Sequence, residues 1–164
     1  HTNSDFIEEH YKEQIIALDL FFKESGAKHI PSSKIIFGGG TAIAIYYFQH
    51  RLSFDIDNSK KLVDFDLYIE DITDIIAKKI TFRKKDNKTR DIIDIAICLK
   101  SNPNLFNELI ELEKVTKDDL KILKESLLQL NKNRYLSQLN IVKPFEKYIE
   151  LSKKAPEYLI SKIC

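Results

Sequence analysis

At 164 residues the chain is long enough for one domain that buries roughly two-thirds of its unfolded surface, or for one core with a small helical annex. Its 26 basic and 25 acidic side chains leave a net charge of +1, which excludes a global field pulling it onto nucleic acid or an anionic membrane. No apolar run nears the roughly 20 residues that span a bilayer, no leader opens the chain, and two cysteines make neither a disulfide framework nor a metal cluster, so the expectation is a soluble, cytoplasmic protein without membrane contact.

The chain starts at His1 and contains no methionine, which predicts that it is not a whole reading frame. Arginine is scarce, four against twenty-two lysines, and three of the four (Arg51, Arg83, Arg90) fall in or near the motifs below. Because arginine is rigid and bidentate, sparing use suggests places where lysine would not serve.

In chain order, Phe6, Ile15, Leu18 and Phe22 predict an amphipathic helix over residues 5–25, capped by Ser4 and ended by Gly26. Lys34 to Phe37 reads as a short strand that ends in Gly38-Gly39-Gly40. Thr41 to Gln49 is apolar nearly all round and suits a helix buried on a sheet. Residues 54–57 and 62–68 alternate as strands, each with two aspartates on one face: Asp55 with Asp57, and Asp64 with Asp66. Helices are expected over 71–83 and 90–99, and almost everything after Asn102-Pro103-Asn104 is helix-patterned. There Thr116 is a predicted N-cap, Leu120, Leu123, Leu127 and Leu130 form one apolar stripe, and Pro144 and Pro156 punctuate two last short helices. The expected architecture is α+β (α/β): an α/β domain over residues 1–100 with a small mixed β-sheet flanked by helices, and a helical region over 101–164 packed on it.

The chemistry centres on two features. A strand that ends in glycines and feeds a helix presents bare backbone N–H groups to an anion such as phosphate. Asp55 and Asp57 then project to one side of the next strand, where their repulsion costs about 2–3 kcal/mol at an effective dielectric near 20. Such a pair calls for a cation, and oxygen ligands beside a phosphate cradle favour Mg²⁺ or Mn²⁺. Asp64 is the preferred third carboxylate, with Asp66 the alternative. Lys79 and Arg83 stand at i and i+4 and can point together at a triphosphate. The isoleucines at 92, 93, 95 and 97 bury the following helix, so its charged residues need partners. An Arg83 to Asp94 or Arg90 to Asp91 network is the alternative to ligand contact.

Gly39-Gly40-Thr41-Ala42, His50-Arg51-x-Ser53-x-Asp55-x-Asp57, Lys79-Ile80 with Arg83, and Arg90-Asp91-x-x-Asp94 follow one another over residues 35–100. This pattern resembles the AbiEii/AbiGii-type abortive-infection toxin nucleotidyltransferases, whose fold is the polymerase-β-like minimal nucleotidyltransferase fold. The resemblance implies Mg²⁺-dependent transfer of a nucleotidyl group from an NTP to an acceptor, tRNA or protein, by a toxin with a cognate antitoxin. It implies that Asp55, Asp57 and Asp64 carry metal and, with Lys79, catalysis. It further implies nucleotide contacts from Gly39, Gly40, Thr41, Arg51, Ser53, Lys79, Arg83 and Asp91. The family places a helix and a strand between the two-aspartate strand and the third acid, whereas only Asn58 to Lys61 intervene here. That departure predicts that a segment is missing after Asn58. A non-catalytic nucleotide-binding or toxin-partner module is the alternative function. A nucleic-acid scaffold resting on Lys143, Lys147, Lys153 and Lys154 ranks last, because acidic neighbours dilute that patch.

Overall fold

A computed structural model describes residues 36–43 and 68–163, together with Lys12, Ile16 and Leu20. The chain divides into two compact units, 1–70 and 71–164, each described by itself. Residues 100 and 101, on either side of the boundary expected from sequence, are the last two of the helix Thr89–Ser101.

In the first unit, strand β1 (Ile36–Phe37) leads into helix α1 (Gly39–Ala42). Strand β2 (Tyr68–Ile69) lies parallel to β1, with Ile36 opposite Tyr68 and Phe37 opposite Ile69. A parallel pair needs a long crossover, and residues 38–67 supply its length. Lys12, Ile16 and Leu20 are helical, as the amphipathic spacing of residues 5–25 predicts. The expected strand at 54–57, most of the strand at 62–68 and the stretch after Asn58 lie outside the described residues.

Among its described residues the second unit is mostly helical. Helices α2 (Ile72–Arg83), α3 (Thr89–Ser101), α4 (Leu105–Glu111), α5 (Lys117–Leu128) and α6 (Lys132–Val142) are followed by a 3₁₀ turn (Glu146–Tyr148), α7 (Ile149–Lys153) and α8 (Ala155–Lys162). Local chemistry sets the boundaries. Asp71 caps α2 by accepting from the Thr73 N–H at 2.8 Å. Thr116 and Asp119 form a reciprocal capping box on α5. Asn131 caps α6, and a proline stands in the first turn of α8.

Helix α3 is the axis of this unit and packs against α2, α4, α6, α7 and α8. Its sequence explains why. Ile92, Ile93, Ile95, Ile97 and Leu99 go all round the helix, and each is buried, so no face is left for water. Each such side chain contributes roughly 1.5–3 kcal/mol on burial. Leu120, Leu123 and Leu127 bury one stripe of α5 as the spacing predicts, but α5 stops at Leu128 and Leu130 leaves the stripe.

The expected α+β class with a small mixed sheet is therefore corrected: the described residues make a mostly helical fold. Among them the strands are two residues each, a pairing too short to form a sheet layer. The physical reason lies in the second half, where 3.6-residue apolar spacing runs unbroken through helix after helix and builds a core that needs no sheet.

Candidate functional site

Three groups of residues bear on function. The first is the glycine turn of the first unit. Gly39 has φ 77°, a left-handed conformation that glycine adopts without a side-chain clash. Gly38 is constrained differently: a Cβ there would run into the Glu70 side chain. The β1–β2 register causes this, since Phe37 opposite Ile69 brings the next residue of each strand together. Gly39 thus answers a conformational demand, whereas a side chain at Gly38 would require the end of the Glu70 side chain to swing aside. Gly40 and Thr41 are in α1. Arg51, Ser53, Asp55, Asp57, Asp64 and Asp66 lie outside the described residues.

The second group is a charge cluster between α2 and α3. Lys79 Nζ lies 2.5 Å from Asp91 Oδ1 and 3.1 Å from Asp94 Oδ2. Arg83 Nη1 donates to both oxygens of Asp91, at 3.1 and 2.9 Å. Asp91 and Asp94 are fully buried, and Lys79 is 7% exposed, while the Arg83 side chain remains 44% exposed. The formal charges of these four side chains cancel. Helical spacing explains the geometry: Lys79 and Arg83 share a face of α2, Asp91 and Asp94 share a face of α3, and the two faces meet. One turn further along α3, Cys98 is buried and unpaired. Burial first, and the Asp94 carboxylate second, push its thiol well above the usual range.

The structure thus brings Lys79, Arg83 and Asp91 together, as the sequence analysis expected of residues around one ligand, but turns Lys79 inward onto two carboxylates. Arg83 pairs with Asp91 and Lys79 takes both acids, a pattern different from either network expected from sequence. The charge of Asp91 and Asp94 is already met by two cations, which is not the donor chemistry of a divalent metal site. Among the described residues no group of three or more His, Cys, Asp or Glu side chains could hold a metal ion.

The third group was missed by sequence reasoning. The Lys84–Lys88 turn, the end of α5 and one side of α6 enclose a cleft of about 690 Å³. Lys84 Nζ pairs with Asp119 at the start of α5, the Ser126 hydroxyl donates to the Lys85 carbonyl at 3.4 Å, and the Thr89 hydroxyl donates to Gln138 Oε1 at 2.5 Å. These bonds tie the turn to both helices and hold the cleft open. Lys85, Lys88, Arg90 and Arg134 line it, with Asp86 the one acid. Arg134 was the available clue, the single arginine outside the motifs.

No protein-family model, no curated protein and no solved structure matches this chain. Among the described residues no helix is long and apolar enough to cross a membrane.

Proposed function

We propose that the chain is a metal-dependent nucleotidyltransferase that moves a nucleotidyl group from an NTP to an acceptor, tRNA or protein, in the cytoplasm. The observation that supports this reading best is the Gly38-Gly39-Gly40 turn. Its second residue is left-handed, its first packs against the Glu70 side chain, and none of the three carries a side chain of its own. Bare N–H groups at such a turn suit phosphate. Asp55 and Asp57, which follow in sequence, supply the carboxylates that Mg²⁺ or Mn²⁺ would need, with Asp64 or Asp66 as the third. The metal would neutralise the triphosphate and the leaving pyrophosphate. A cognate antitoxin is the partner that the family resemblance suggests.

The test is label transfer from an α-labelled NTP in the presence of Mg²⁺, comparing the wild type with Asp55→Ala. Transfer by the wild type and its loss in the variant is the expected result. Equal transfer by both proteins would eliminate the reading.

One observation favours the alternative, a non-catalytic nucleotide-binding or toxin-partner module. Lys79, which the resemblance would aim at a triphosphate, is committed to Asp91 and Asp94. Nucleotide binding without transfer to any acceptor would select it.

A further inference from the structure

We infer that the cleft between the Lys84–Lys88 turn and helix α6 is a binding site for an organic phosphate of nucleotide size. Three observations carry this. The volume of about 690 Å³ falls within the roughly 300–1,000 Å³ that encloses a small ligand. Lys85, Lys88 and Arg134 are exposed at the cleft, and none of them takes part in an ion pair among the described residues. On a chain whose net charge is only +1, three uncommitted cations facing one concavity form a local anion field, which Asp86 offsets only in part. The third observation is the lining between the cations: Leu130, Ile141 and Val142 offer apolar surface. Inorganic phosphate has no use for such surface, whereas the ring of a nucleotide does.

The geometry of the charges adds detail. Lys88 is the N-cap of the 13-residue helix α3, and Lys88, Thr89 and Arg90 all line the cleft, so the positive end of the helix axis borders it. Arg134 stands across the cleft on α6 and can hold a phosphate through two parallel N–H bonds. The site lies wholly within the second unit and requires neither a metal nor the aspartates of the first.

Fluorescence anisotropy of methylanthraniloyl-labelled ATP, titrated with the full chain in EDTA, tests the assignment. Saturable binding is expected, with unlabelled ATP competing and inorganic triphosphate competing about tenfold less well. Arg134→Glu should weaken binding by about tenfold or more. Lys121→Glu makes the same charge change at an exposed site outside the cleft and should leave affinity unchanged. Both variants alter exposed side chains, and circular dichroism checks that they fold. Equal affinity in Arg134→Glu and wild type overturns the proposal, as does equal weakening by Lys121→Glu. Triphosphate competing as well as ATP overturns the organic part, and absence of saturable binding overturns the whole.

Discussion

Lys79 Nζ lies 2.5 Å from Asp91 Oδ1 inside the junction of α2 and α3, so a side chain that normally seeks water is held where only 7% of its residue surface reaches it. Taking an ammonium and two carboxylates out of water costs several kcal/mol per ion, and here their mutual attraction and the added Arg83 bonds offset that cost. Losing one member is therefore worse than never having had the set.

Asp91→Ala should destabilise the fold by about 3–5 kcal/mol, because it leaves Arg83 without its acceptor and Lys79 with one acid instead of two. Urea denaturation followed by circular dichroism measures this. A loss under about 1 kcal/mol would show that the cluster is dispensable. Lys79→Met should be comparably damaging, so any loss of activity in a Lys79 variant has to be read beside its stability.

Asp119 makes stability depend on acid. The bond from Lys84, the first cause, and those from Thr116 hold its carboxyl below the usual range. A depressed folded pKa means that the stabilisation is fully present above the unfolded value of about 3.9 and is lost as pH falls through the lower folded value. Asp119→Asn should cost about 0.5–2 kcal/mol at pH 7, the range of a lost cap. The difference from wild type should shrink steadily as the pH is lowered below about 4. A difference independent of pH would contradict this assignment.

Cys98 should resist alkylation. Only 2% of it is exposed and burial holds it protonated, while thiolate is the reacting form. Iodoacetamide labelling of the native protein, located by mass spectrometry, should spare Cys98 until denaturant opens the second unit. Labelling at the rate of an exposed thiol would contradict the packing around α3.

Ser152 carries the opposite kind of liability. Its hydroxyl is buried and has no hydrogen-bond partner among the described residues, although its backbone carbonyl accepts from the Tyr135 hydroxyl at 2.6 Å. Ser152→Ala should leave stability unchanged or raise it by about 1 kcal/mol, since it removes an unsatisfied polar atom and keeps the carbonyl bond. Tyr135→Phe, by contrast, strands that carbonyl and should cost about 1–3 kcal/mol. Thermal melts of the two variants should move apart.

Where one residue type dictates one local outcome, the sequence was readable. Thr116 started its helix, the isoleucines of α3 announced a helix without a wet face, and buried acids on that helix demanded cations. Pairings between elements were harder. Which of Lys79, Arg83 and Arg90 would meet Asp91 depends on how two helices cross, and periodicity along one helix does not contain that angle. The mostly helical outcome was missed because short β-branched runs at 36–37 and 68–69 look the same whether they seed a sheet or end as a two-residue pair. Leu130 was misplaced because the apolar stripe continued past the point where α5 stops. The cleft was invisible because Lys88 and Arg134 come from segments forty-odd residues apart, joined only when Thr89 bonds Gln138.

The charge-neutral set at the α2–α3 junction also constrains how this protein can drift. A substitution at Lys79, Asp91 or Asp94 alone leaves an odd charge in the interior, so neutral change at these positions has to arrive in compensated pairs. Passing from one viable state to another means crossing a poorly folded intermediate or swapping two side chains almost together. Lineages that differ here should accordingly differ at two of these positions at once, with apolar residues replacing cation and acid in step.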